Sequence, residues 1–323
     1  MIGLLRVEWT RFMLRRAIVA VLLLGVAVTV AMAFKTAWDT RPASDSDLAT
    51  AQAQSELAAK EAANAATVVE CERDPVAMLG PGAKKADCAA RLLPSPESLL
   101  KRQPLDFTVA LDREGARLAA FLACLLVIAG ATFAGADWGT GSLTTQLMFE
   151  PRRLRLMAAK SIVTALAGTL FMLLCLAGFW LALLLVAEAR GVVVPDADLS
   201  LVGWHVMRAV ALGGAATLGA FALTMLFRHT VATLALLFVY AAGSEFLVTL
   251  SPIPGIARWS IGNNVFGWLK PDFEYVEVTG KCAAYQECNP VQTLSHLDSG
   301  LFLLALLVIA VLASAVVFRH RDV

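Results

Sequence analysis

Six stretches of this chain are apolar over membrane-crossing lengths, at 17–34, 118–136, 161–187, 209–227, 231–250 and 300–318. A helix needs about 20 mostly apolar residues to cross roughly 30 Å of hydrocarbon. Inside lipid no water satisfies the backbone, so an open strand or loop cannot make the crossing. The runs therefore predict an all-α membrane protein with six transmembrane helices. Composition agrees, with 58% hydrophobic and only 16% charged residues, against roughly 25% charged in an ordinary soluble domain. The 27 Lys and Arg balance 26 Asp and Glu at a net charge of +1, which provides no basic field for a nucleic-acid backbone.

The fourth and fifth runs are separated only by Arg228, His229 and Thr230. Burying an arginine in mid-membrane costs about 2.5–3.5 kcal/mol on insertion scales, so a tight turn at 228–230 is expected rather than one bent span. An even number of spans puts both termini on one side. Arg6, Arg11, Arg15, Arg16, Arg152, Arg153, Arg155, Lys160, Arg228, Arg319 and Arg321 all fall on that side, which the positive-inside rule makes cytoplasmic in a plasma membrane. The rival reading of 17–34 is a signal peptide, with Arg15 and Arg16 ahead of it and Ala31, Met32 and Ala33 resembling a cleavage site. Upstream, Ile2, Leu5, Trp9 and Phe12 recur at helical spacing, predicting an amphipathic interfacial helix within 1–16.

The segment 35–117 is too long for a simple connector and is expected to fold in part outside the membrane. Residues 43–74 contain neither Gly nor Pro and are rich in Ala, which predicts a solvated helix. The segment 188–208 is a shorter external connector. In 251–299, Pro252, Pro254 and Gly255 open a stretch carrying Trp259, Phe266, Trp268, Phe273 and Tyr275, which suggests an external segment dipping back into the interface, or a surface loop with packed aromatics. Four of the six Cys fall in these external segments. Local disulfides, Cys71 with Cys88 and Cys282 with Cys288, are expected in an oxidising space. A four-thiolate zinc site would need gaps of two to four residues, which neither pair has. Cys124 and Cys175 lie in apolar runs as packing residues.

Catalytic signatures are scarce. Gly280 and Lys281 lack both the first Gly and the hydroxyl of a phosphate-binding loop. His205, His229, His296 and His320 form no His-Glu-x-x-His pattern, and no Gly-x-Ser-x-Gly elbow accompanies His296 and Asp298. The reading assigns no catalytic, cofactor or metal site to the chain. Glu245 is the acid well inside an apolar run. It either snorkels to the outer interface or pairs with Arg208 along a transport pathway. Ala211, Ala215 and Gly219 repeat small residues every four positions, a pattern that permits close helix packing within or between subunits.

The segment 137–160 carries the most information. Gly139 and Gly141 break the incoming helix, a short helix is expected from Ser142 to Phe149, and Pro151 restarts a helix running into the next span. Leu143, Leu147 and Met148 would give the short helix an apolar side for a partner's groove. Arg152, Arg153 and Arg155 would bind carboxylates there, or lipid phosphates.

The order Gly-Ala-Asp-Trp-Gly-Thr-Gly-Ser-Leu from Gly135, then Glu-Pro-Arg-Arg-Leu from Glu150, then Lys160 opening a long apolar run, resembles the membrane subunit of ABC transporters of the type-2 permease family. The run Leu-x-x-Arg-Gln-Pro-Leu-Asp at 99–106 and the Cys-bearing segment 35–117 resemble a branch of bacterial members with a large first external loop; other members have a short one. The resemblance implies an elbow helix before six spans and a coupling helix built from Ser142, Leu143, Gln146, Leu147, Phe149, Glu150, Arg152 and Arg153. It also implies a separate ATPase subunit that binds ATP and Mg, a second permease subunit in a homo- or heterodimer, and export of a substrate across the membrane. The alternatives are a non-transporting scaffold or sensor whose external domain binds a peptide or envelope component, and a membrane-embedded enzyme.

Overall fold

The computed structural model describes residues 1–63, 66–80, 83–93, 95–96, 98–100, 104–250, 255–276 and 291–320, without the side chains at 59, 62–63, 66–67, 89–90, 245 and 247–250. The expected Cys282–Cys288 bridge and the Glu245 side chain lie outside the described residues.

The elements in order are α1 Ile2–Met13, α2 Arg16–Asp39, α3 Asp45–Ala63, α4 Ala66–Arg73, α5 Pro75–Leu79, α6 Lys85–Leu92, α7 Phe107–Ala110, α8 Ala116–Gly139, α9 Ser142–Phe149, α10 Arg153–Ala189, α11 Asp196–Phe227, α12 Thr230–Leu250, α13 Ile261–Leu269, the antiparallel strands β1 Phe273–Val276 and β2 Val291–Leu294, and α14 His296–His320. A π-helical turn, Leu111–Gly115, joins α7 to α8. Among the described residues five helices are long and apolar enough to cross a membrane: α2, the continuous run Phe107–Gly139, α10, α11 and α14. The fifth apolar run forms α12, whose described side chains support a shorter apolar helix, Thr230–Ser244. Arg228, with φ of 61°, ends α11 in the left-handed region, and α12 starts two residues later.

Two compact units divide the chain. Residues 35–105 form one, and residues 1–34 with 106–323 form the other. In the first, α4 and α6 are joined by the Cys71–Cys88 disulfide, with Cα atoms 5.9 Å apart and both residues fully buried.

In the second unit α8 and α10 pack along α11. Lipid tails are as apolar as leucine, so helices in a membrane gain little from burying apolar area against each other, and close backbone approach has to supply the attraction. Glycine allows it here. A Cβ on Gly130 of α8 would lie 2.2 Å from the Thr217 carbonyl oxygen of α11, and one on Gly168 of α10 would lie 2.0 Å from the Thr217 hydroxyl. Three buried threonine hydroxyls are satisfied within their own helices: Thr217 donates to the Gly213 carbonyl at 2.6 Å, Thr224 to Ala220 at 2.8 Å and Thr164 to Lys160 at 2.6 Å.

One end of this bundle gathers α1, α9, the 228–230 turn and the end of α14. Phe12, Ile18, Phe133, Leu143, Leu156, Phe221 and Phe318 share a core there. The Arg228 guanidinium lies 4.6 Å from the Trp138 ring. At the other end α13 folds back onto the helices. His205 Nδ1 is 3.1 Å from the Leu269 carbonyl, the Trp268 indole donates to the Arg208 carbonyl at 2.8 Å, and Lys270 pairs with Asp112 at 3.0 Å.

Candidate functional site: a buried charge cluster behind the short helix

Glu8 interrupts the apolar stripe of α1. It stands four residues before the fully buried Phe12 and is itself only 1% exposed. What holds it there is Lys160 of α10, whose ammonium is 2.7 Å from Glu8 Oε2 and 2.6 Å from Asp137 Oδ2 of α8. All three side chains are removed from solvent. Asp137 Oδ1 also accepts from Arg11 at 3.0 Å, from Arg15 at 2.5 Å and from the Ser142 hydroxyl at 2.9 Å. Arg11 reaches Glu8 Oε1 at 3.3 Å and Ser142 Oγ at 3.2 Å, and Arg15 donates to the Phe133 carbonyl at 2.9 Å. The Phe133 ring lies beneath both cations, 5.0 Å from the Arg15 guanidinium carbon and 5.1 Å from the Lys160 ammonium.

A charge withdrawn from water persists only when it is paired and its remaining hydrogen-bonding capacity is used. Both acids meet that requirement, and Asp137 is the hub: its contacts come from α1, from Arg15 just before α2, from α9 and from α10. Three cations surround two acids, so the cluster carries one excess positive charge, placed on the two partly exposed arginines. Mechanically, the cluster ties the N-terminal helix to the facing ends of α8 and α10 and to the first residue of α9.

The short helix is suspended from this tie. Thr140 ends α8, and Gly141 with φ of 66° turns the chain into α9. A side chain at that angle would be strained, so the sharp entry depends on glycine. Gln146 Nε2 donates back to the Ser142 carbonyl at 3.1 Å, and Glu150 faces Arg155 at 3.5 Å beyond the helix end.

The expected docking residues do not all face the same way. Leu143 is 1% exposed and belongs to the chain's own core, with Leu147 half-buried against it. These two side chains anchor the helix inward, which corrects the expectation that they would fill a partner's groove. Met148 and Phe149 face outward instead, at 81% and 87% exposed. Ser142 is tied into the charge cluster, Gln146 and Arg153 are half-buried, and Arg152 is exposed.

A second correction concerns the ends of 137–160, expected as a cytoplasmic segment lying between spans that stop at 136 and resume at 161. Its first three residues complete α8 and its last eight begin α10, so Asp137 and Lys160 are helical, buried residues. Glu8, Asp137 and Lys160 were missed as a site for that reason. The available signal was Glu8 itself, an acid on the apolar stripe of an amphipathic helix. Arg208 is half-buried on α11, at the end of the bundle opposite the charge cluster.

Among the described residues, five helices of membrane-crossing length with one two-stranded sheet mark a multi-pass, mainly helical membrane protein. No family profile, curated protein or solved structure matches the chain.

Proposed function

We propose that this chain is the transmembrane permease subunit of an ATP-binding-cassette exporter. The observation that carries the reading is α9: a short helix turned out of the end of α8, pinned from behind by Leu143 and the Asp137 cluster, with Met148 and Phe149 exposed at its far end. In this reading α1 is the elbow helix, α12 completes six spans, both termini are cytoplasmic and the protein works in a plasma membrane as a homo- or heterodimer. ATP and Mg are bound by a separate ATPase subunit, into which Met148 and Phe149 insert while Arg152 meets its carboxylates.

Force then has a physical route. Closure of the ATPase pair displaces α9, and α9 cannot move alone, because Ser142 is bonded to Asp137 and Arg11 while Asp137 is bonded to Lys160. The facing ends of α8 and α10 shift with it, favouring a second packing of the spans and changing access to a central pathway.

The test is co-expression with an ATPase subunit encoded in an adjoining reading frame. The tagged wild-type chain is expected to retain that subunit through purification and to raise its ATP hydrolysis. Met148→Asp with Phe149→Asp is expected to lose both while melting at the wild-type temperature. Full retention by the double variant would overturn the docking assignment.

A further inference from the structure

The last turn of α13 is held from two sides by different forces. Towards α14 the contact is close packing: a Cβ on Gly267 would strike the Ser299 hydroxyl, and one on Gly300 would lie 2.5 Å from the Trp268 ring. Towards α11 and the π-turn the contacts are polar. The last carbonyls of a helix have no partner within it, and that of Leu269 faces His205 Nδ1 of α11 at 3.1 Å. Trp268 donates to the Arg208 carbonyl, and Lys270 pairs with Asp112 of the π-turn. A carbonyl only accepts, so Nδ1 carries the hydrogen of the neutral His205 ring and Nε2 is its bare nitrogen.

His205 is 1% exposed and stands before the apolar run that begins at 209. The Trp180 ring of α10 meets it edge-on, with centroids 6.2 Å apart, and stacks in turn on Phe107 of α7. Nε2 lies against Gly115 of the π-turn, where a Cβ would be 3.3 Å away. The Gly115 carbonyl is on that side but outside hydrogen-bond geometry, and none of the described residues bonds to that nitrogen. The charge that bears on the ring is a cation, Arg208, three residues along α11. From α13 the nearest charge in sequence is again a cation, Lys270, already paired with Asp112. In the rest of the π-turn Arg113 is exposed and Glu114 half-buried, while α10 and α7 bring only the uncharged Trp180 and Phe107. A second proton on this ring would create a charge cut off from water, with a poorly placed acceptor and a like charge nearby, an arrangement that costs free energy. Movement of the turn off α11 would return the ring to water. We propose that His205 is a proton-operated latch: the last turn of α13 stays docked on α11 while the ring is neutral and releases when the ring is charged. A solvated histidine takes its proton near pH 6.5. The released form therefore binds the proton more readily than the docked form, so docking is favoured above about pH 6.5 and is lost as pH falls below it. The latch is independent of the transport reading and requires no ATPase.

The test is hydrogen exchange of the full-length protein in nanodiscs at about pH 7.5 and about pH 5.5, a window in which histidine is the side chain expected to titrate. Each rate is referred to the intrinsic exchange rate at its pH. Protection across 265–270 is expected to fall about ten-fold in acid, the limit for one proton taken up over one pH unit below the histidine value. It should recover on return to neutral pH, while 116–130 of α8 keeps its protection throughout. His205→Asn, whose amide can donate to the Leu269 carbonyl without titrating, should hold 265–270 protected at both pH values; His205→Gln serves if the Asn variant is already loose at neutral pH. His296 of α14 supplies the control. Its Nδ1 is 2.9 Å from the Gly267 carbonyl, but it is half-buried and keeps access to water, so His296→Asn should respond to acid as the wild type does. In the wild type the His205 ring, assigned by its absence from the variant's nitrogen spectrum, should titrate with the midpoint at which protection is lost. Flat protection in the wild type, an acid response that survives at a non-titrating position 205 or vanishes in His296→Asn, or a ring midpoint that departs from the loss of protection would each overturn the latch.

Discussion

Lys160 has its ammonium between two carboxylates that see no solvent. Lys160→Met would leave Glu8 and Asp137 with one shared cation, Arg11, and no central charge. Breaking a buried ion pair from one side costs about 3–5 kcal/mol. The expected result is a large fall in the thermal midpoint in detergent and loss of α1 protection in hydrogen exchange. Glu8→Gln should cost less, because Lys160 keeps Asp137. Asp106 makes a different kind of contribution. It caps α7, and its carboxyl is held below the usual carboxylate range by the Thr108 hydroxyl first and the Val109 amide next, against the opposing effect of burial. A lowered folded value means the stabilisation is present above the unfolded carboxylate value of about 3.9 and is lost as pH falls through the folded one. Asp106→Ala should therefore cost about 0.5–2 kcal/mol at neutral pH. The gap to wild type should close in acid, as read from paired melts across pH. At this scale the sequence was only partly legible. Glu8 stood out from its stripe by type, but the lysine that neutralises it, Lys160, is 152 residues distant, a separation that no local periodicity reports.

At the scale of elements, the three-helix crossing makes the sharpest demand. Gly130→Val would drive a branched side chain into the Thr217 backbone, where a Cβ already falls at 2.2 Å. Backbone cannot step aside as a flexible side chain can, so α8 and α11 must separate. Gly203, with nothing within 4 Å of its Cβ position, should accept Ala and gain roughly 0.5–1 kcal/mol in helix propensity. A pair of melting curves, one falling and one level or rising, checks both. The bounds of α9 were legible because Gly139, Gly141 and Pro151 are local signals that act through backbone geometry. Which side of α9 faces inward was not legible. Leu143, Leu147, Met148 and Phe149 are equally apolar, and only the placement of Phe12, Phe133 and Phe221 beneath the helix decides that Leu143 goes in and Phe149 stays out. The length of α11 was under-read in the same way. Its apolar run begins at 209, but the helix begins at Asp196, inside the segment expected as an external connector.

At the scale of the whole molecule, long apolar stretches were the most readable feature, since each reports its surroundings without reference to any other part of the chain. Five of the six correspond to helices of membrane-crossing length, and the local Cys71–Cys88 bridge joins two helices of the 35–105 unit. The gathering of α1, α9, the Arg228 turn and Phe318 at one end gives the proposed exporter a single surface on which a partner could act. Its central claim is that α9 meets an ATPase through its exposed tip. The most direct measurement places a photo-crosslinking amino acid at position 149 and, separately, at 143 in the intact membrane, with the ATPase co-expressed. The account predicts a covalent product with the ATPase chain from 149 and none from the buried 143. A tip at 149 that yields only solvent or lipid products, with the ATPase present and folded, would contradict it.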